Sequence, residues 1–220
     1  MKFNLSQAEE NYLKAIYSIG IDTGKSVNTN QIALKMKTKA SSVTDMVKKL
    51  SDKGLVEHKK YKGALVTSKG ESIAVSTLRS HRLWECFLVD TLEFNWDEVH
   101  DIAEQLEHIK SDSLVDRLDK FLNFPSYDPH GDPIPDKNGV IEHHKNVMLS
   151  SVDPEASCIV IGVKDSSSSF LKFLDNAGIC LGKKIKVLTV EDFDQSMQLE
   201  IESKVITVSH QISKNLYVKK

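Results

Sequence analysis

The sequence predicts a mainly α-helical chain with a small β wing in its first third and a compact β domain at its C-terminus. Three observations carry this. Apolar residues recur at helical spacing through most of residues 6–122. Two short β-type runs, LVEHK and ALVTS, flank the turn YKG and interrupt the helices once. Beyond residue 148 the period changes, and SCIVIGV, KKIKVLT, MQLEIES, KVITVSH and NLYVKK each suit a strand.

The first helix is expected over residues 6–20. Ser6 and Glu9 form a capping box, and Tyr12, Leu13, Ile16 and Tyr17 share a face. Asn28 or Thr29 caps a short second helix through Met36. Ser41 or Ser42 caps a third, with Val43, Met46, Val47 and Leu50 on one side and Gly54 closing it. With the hairpin that follows, this order is that of a winged helix-turn-helix, whose second motif helix enters the DNA major groove. The candidate DNA-contacting residues on that helix are Lys39, Ser41, Ser42, Thr44, Asp45, Lys48 and Lys49. Lysines contact phosphate and set register, and short hydroxyls reach bases or phosphates or simply cap the helix. A long helix runs from Gly70 to Asp90, a further one covers Trp96 to Ser111, and another Leu114 to Leu122. These apolar helices after a DNA-reading unit are candidates for a dimerisation surface. Residues 125–140 hold four of the five prolines and read as a loop or boundary. His130 within it, and His143 and His144 in the charged EHHK tail, are expected at the surface. The strands after it, with the helical stretch SFLKFLDNAG, suggest a small SH3-like barrel. The expected domains are residues 1–70, 71–140 and 148–220.

Net charge is −2, but it is segregated: residues 1–70 hold 13 lysines against 6 acids, residues 71–145 hold 7 basic against 16 acidic residues, and the remainder balances. A basic first third suits a polyanion, and an acidic middle third suits a cation. No run of about 18 apolar residues is present to span a membrane, and the N-terminus lacks a signal-peptide apolar core. Three isolated cysteines fit a reducing cytoplasm rather than a disulfide framework.

In the acidic third, His81 and Glu85 stand four apart, as do His100 and Glu104, and Glu104 and His108; Glu107 falls three after Glu104. Such spacings bring side chains to one helix face. Imidazole with carboxylate suits a borderline divalent metal, and the oxygen-rich set without a thiolate leans to Mn(II) or Fe(II). The other reading of each pair is a solvated acidic helix with incidental histidines.

The stretches AEENYLKAIY, SSVTDMVKKLSDKGLVEHKKYKG, VTSKG, HRLWECFLVD, WDEVHDIAEQLEHIKSD and DPHGDPIP, in order over about residues 5–135, resemble the diphtheria-toxin-repressor family of metal-dependent regulators, its manganese-regulator branch in particular. The C-terminal residues resemble that family's SH3-like third domain. The resemblance implies a cytoplasmic homodimeric repressor that binds a double-stranded DNA operator when loaded with Mn(II) or Fe(II), has two metal sites per subunit and controls metal-ion uptake genes. It implies that His81, Glu85 and His100 serve one site, and that Glu104, Glu107 and His108, with Asn11 of the first helix, serve the other. Iron-type members carry cysteine at the position of Glu104; manganese-type members carry glutamate, as here. The chain departs from the pattern at Asn11, a neutral ligand where the family has Met or Asp, and at Lys14, where a manganese-type second ligand would fall. The third-domain ligands correspond to Ser166 and Ser169, with Asp165 beside them. Competing classes are a helical di-metal enzyme and a winged-helix module that binds only proteins.

Overall fold

The computed structural model describes residues 5–59, 63–141 and 147–219. Part of the wing turn and the EHHK tail therefore lie outside the described residues. The chain packs into two compact units that interleave along the sequence. The first comprises residues 1–81, 104–116 and 135–140, and the second 82–103, 117–134 and 141–220.

In the first unit, α1 (Gln7–Thr23) begins at the expected capping box, with Ser6 and Glu9 exchanging hydrogen bonds, and ends at Gly24 in the left-handed region. α2 (Thr29–Lys35) is capped by a second box, Asn28 with Gln31. α3 (Ala40–Asp52) starts two or three residues earlier than expected: Lys39 is its N-cap, with no side-chain cap bond, so neither Ser41 nor Ser42 caps it. Both serines are freed to stand exposed on its first turn. Leu13, Ile16, Ile32, Val43, Val47, Leu50 and Leu55 form the buried centre of this unit. The wing pairs β1 (Val56–Lys59) with β2 (Gly63–Val66), antiparallel, from Val56 opposite Val66 to Lys59 opposite Gly63. Val27 adds a bridge to Ala64, closed by N–H···O bonds of 2.9 and 2.8 Å.

Helix α4 (Ser68–Asp90) passes through both units, and the boundary falls between His81 and Arg82. Its start lies tight against the wing: a Cβ at Gly70 would meet the Leu55 carbonyl oxygen at 2.1 Å. α5 (Val99–Leu106) is shorter than the expected Trp96–Ser111 at both ends. Asn95 and Glu98 close a turn before it, and Glu107 and His108 leave the helix to pair with α1 and α4. α6 (Asp112–Phe121) follows.

The C-terminal part of the second unit is a six-stranded antiparallel sheet in the order β3-β8-β4-β5-β6-β7. The strands are β3 (Val147–Met148), β4 (Ser157–Val163), β5 (Lys184–Val190), β6 (Met197–Ile201), β7 (Lys204–Val208) and β8 (Leu216–Lys219). β4 and β5 each carry a bulge, at Val160/Gly162 and Val187/Thr189, which bends the sheet. Alternate residues such as Val160, Ile185, Val187, Leu199 and Leu216 face one core. Helix α7 (Ser168–Asn176) closes that core with Phe170, Leu171 and Leu174, and a single turn, α8 (His210–Ser213), precedes β8. This is the SH3-like domain expected from the strand count.

Candidate functional site

The buried polar residues that matter fall into one cluster in each unit. In the first, Glu107 is the hub. Its side chain is fully buried, and both its oxygens accept from Lys14 Nζ at 2.7 Å. His81 Nδ1 lies 2.6 Å from its Oε2. Burial opposes ionisation of Glu107, but His81 and Lys14 outweigh it and hold the carboxyl below its ordinary range. Glu104, two-fifths exposed, stands 3.6 Å from Lys14 Nζ. His108 Nδ1 lies 2.6 Å from Glu10 Oε2, and Lys110 steadies the other Glu10 oxygen at 3.2 Å. A carboxylate can only accept, so Nδ1 carries a hydrogen, and Nε2 is the nitrogen left to face a cation.

That Nε2, and the Oδ1 of Asn11, are buried atoms without a hydrogen-bond partner. An unpartnered imidazole nitrogen 3.6 Å from the Glu107 carboxylate, and an unpartnered amide oxygen on α1, are atoms of the kind a divalent metal takes as ligands. The set of Asn11, Glu104, Glu107 and His108 thus lies within one unit. His81, paired with Glu107, belongs to that unit too, whereas Glu85 and His100 belong to the second. Lys14 is no bystander: its ammonium occupies the Glu107 carboxylate.

In the second unit, Glu85 is 2 % exposed and lies 3.3 Å from His100 Nδ1 and 3.6 Å from His130 Nδ1. One ligand atom each from Glu85, Asp128 and His130 falls within 4.8 Å of the others. His130 is therefore not the surface residue its Pro-rich loop suggested; it is 4 % exposed. Asp128 shapes the loop, its Oδ1 accepting the N–H groups of His130 at 2.8 Å and Asp132 at 3.0 Å. Burial, then Glu85 and Asp132, push the Asp128 carboxyl up, against Arg82 3.4 Å away. Burial opposes charge on His130, but Glu85 and Asp128 outweigh it and raise its pKa. Two buried carboxylates and an imidazole again suit a hard-to-borderline cation. Burial and the acids around it raise the Cys86 thiol pKa, and its S–H donates to the Tyr127 carbonyl at 3.5 Å. Asp165 instead takes the N–H of Ser167 at 2.9 Å. Asp128, His130 and Glu10 were missed by the i,i+4 pattern because none shares a helix with the candidate residues it joins.

Lys39, Ser41, Ser42, Thr44, Asp45, Lys48 and Lys49 are all exposed. Two of them also have local tasks. Thr44 donates to the Ala40 carbonyl at 3.0 Å, and Lys49 lies 3.3 Å from Glu9.

A winged helix joined to buried imidazole–carboxylate clusters places the chain among metal-binding helix-turn-helix proteins. The chain belongs to the iron-dependent repressor family. Residues 4–64 match its N-terminal DNA-binding domain, 67–136 its metal-binding and dimerisation domain, and 147–220 the FeoA domain. That family comprises DNA-binding transcriptional repressors, not enzymes. The iron-dependent repressor IdeR of Mycobacterium leprae is 33 % identical over 132 residues, 60 % of this chain and 57 % of that protein. A probable metal transport system membrane protein of Chlamydia trachomatis is 45 % identical over 86 residues, 39 % of this chain. The chain thus spans 57 % and 19 % of the length of these two curated relatives. The solved structure of a manganese-dependent transcriptional repressor in complex with manganese superimposes with a TM-score of 0.83 at 31 % identity, covering 96 % of this chain and 98 % of that one. No described helix is long and apolar enough to cross a membrane.

Proposed function

We propose that this protein is a cytoplasmic, metal-dependent repressor that binds a double-stranded DNA operator as a homodimer and controls metal-ion uptake genes. Mn(II) is the favoured effector, with Fe(II) second, and each subunit has two sites. The observation that carries this reading is the buried, unpartnered His108 Nε2 3.6 Å from the Glu107 carboxylate, with a second unpartnered buried oxygen, Asn11 Oδ1, on α1. Asn11 lies on α1, which packs against α2, α3 and the wing. Glu104, Glu107 and His108 lie in the segment at the end of α5. An ion held between them, when bound, supplies a positive centre that joins the DNA-reading helices to that segment. Metal favours the DNA-competent state only through its differential affinity for it, so DNA and metal tighten each other's binding equally.

The second site is formed by Glu85, Asp128 and His130, with His100 beside them. The hard ligand set, free of thiolate, supports Mn(II). For the homodimer, the support is an exposed apolar surface in the second unit. Leu92, Phe121 and Phe124 are each more than half exposed there, and Phe121 lies 5.9 Å from the Phe87 ring.

The test is retention of genomic DNA fragments at fixed salt, anaerobically, with and without Mn(II) or Fe(II). Retention of a few fragments should rise steeply with one metal. Glu104→Ala and His108→Ala should abolish that rise while the protein stays folded and dimeric. DNA binding that persists unchanged after chelation sinks the metal switch.

A further inference from the structure

The second site raises a question of orientation, because an imidazole ligates only if the correct nitrogen is free. We propose that Trp96 and Asp175 are positioning residues for His130, fixing which nitrogen it presents to the Glu85–Asp128–His130 site. The proposal rests on reading that trio as a metal site.

His130 Nε2 lies 2.9 Å from the Trp96 carbonyl oxygen. A carbonyl only accepts, so Nε2 carries the hydrogen and Nδ1, facing Glu85, is the ligating atom. The indole of the same residue stacks on the imidazole, with centroids 6.2 Å apart and planes 15° apart. Trp96 therefore sets both the tilt of the ring and its tautomer.

Trp96 precedes α5 in an irregular segment, so its own position needs an external hold. α7 of the SH3-like domain provides one. The indole Nε1–H donates to both carboxylate oxygens of Asp175 at 3.0 Å. The next residue, Asp97, is buried at its side chain and accepts from Ser168 Oγ at 2.9 Å, with Lys172 Nζ at 3.4 Å. One helix thus grips the dipeptide at three points. The same domain holds the His130 backbone from the other side. The His130 carbonyl accepts the Val163 N–H at 2.8 Å, and a Cβ on Gly131 would meet the Ile161 carbonyl oxygen at 2.2 Å. Ligand and tautomer-setting carbonyl are both referenced to the SH3-like domain, which makes that domain the outer shell of the site. Loss of such an outer-shell partner typically costs about 10–100-fold in metal affinity.

The test measures Co(II) binding to the full chain by equilibrium dialysis and by its visible absorption, which reports ligand geometry. The variants are Trp96→Phe, Asp175→Ala, their double, Asp175→Asn and His130→Ala. Trp96→Phe keeps an aromatic ring and the backbone carbonyl, and loses the indole N–H with part of the stacking area. Thermal melts confirm that each folds. Trp96→Phe and Asp175→Ala should each weaken one of the two Co(II) sites by about tenfold and alter its absorption, with the double variant no worse than either. Asp175→Asn, which keeps one acceptor oxygen, should recover part of the loss. If His130→Ala lowers Co(II) binding but Trp96→Phe and Asp175→Ala leave affinity and spectrum unchanged, the positioning role is wrong and the metal site stands. If His130→Ala itself changes nothing, the metal-site reading falls and the proposal with it.

Discussion

Replacing Lys14 by methionine separates the two cations that Glu107 can hold. The ammonium bonds both oxygens of a carboxylate whose side chain has no exposure, and Lys14 itself is 13 % exposed. Breaking a buried ion pair from one side costs about 3–5 kcal/mol, because the other charge is left uncompensated. His81, 2.6 Å from Oε2, remains and offsets part of this. The expected loss in the metal-free protein is therefore about 2–3 kcal/mol, or roughly 4–12 °C in melting temperature for a chain of this size. Methionine is linear and a good helix former, so α1 itself should not suffer. Mn(II) brings two positive charges to the same carboxylate without having to compete with an ammonium. Lys14→Met should thus bind Mn(II) at least about tenfold tighter than the natural chain and regain most of its lost stability at saturating metal. Melting curves with and without Mn(II), together with calorimetric titration, read both quantities. An equal loss of stability with and without metal, or weaker Mn(II) binding in the variant, would refute the competition between Lys14 and the ion.

Two further outcomes are expected. Lys48→Ala should weaken binding to all DNA sequences alike and lower the slope of log K against log salt by about one, whereas a sequence-selective loss would mean that Lys48 reads bases. Burial works against ionisation of Glu9, but Lys53, the Ser6 N–H and Lys49 together hold its carboxyl at about 2, down from 4.5. That depressed value contributes stability above pH 4.5, and the contribution fades as pH falls from 4.5 through about 2. Lys49 is 56 % exposed and Lys53 33 % exposed, so screening reduces the contribution to about 1–2 kcal/mol. Glu9→Gln, which keeps the capping box, should flatten the acid limb of a denaturation series across that window; an unchanged limb would show that the lysine pairs do not matter.

Where function rests on local pattern, the residues announce it. The capping box at Ser6 and Glu9, the wing with its positive-φ Gly63, and the alternating strands of the SH3-like domain all follow from short-range sequence. Asn28 with Gln31 is a cap of the same kind. The start of α3 was misread for a related reason: serines are good caps, but here the chain turns at Lys39 and leaves them on the exposed face. Helical spacing also marked Glu104, Glu107 and His108, although the helix ends at Leu106 and the last two reach their partners from a turn.

Spacing cannot reveal which nitrogen of a histidine is available. His108 commits Nδ1 to Glu10, 98 residues away, and His130 commits Nε2 to the Trp96 carbonyl, 34 residues away. Each commitment leaves the opposite nitrogen toward a carboxylate cluster. A ligand pattern read along one helix finds only the side chains that share its face. The partners that decide tautomer, and with it whether an imidazole can hold a metal at all, come from other elements. His130 was misplaced on this account: nothing local to a Pro-rich loop predicts that Gly131 will lie against Ile161 and Gly162 and carry the histidine beside it into the interior. The candidate metal site of this chain is therefore written twice, once as helical periodicity and once as long-range hydrogen bonds, and the second determines how the first could be used.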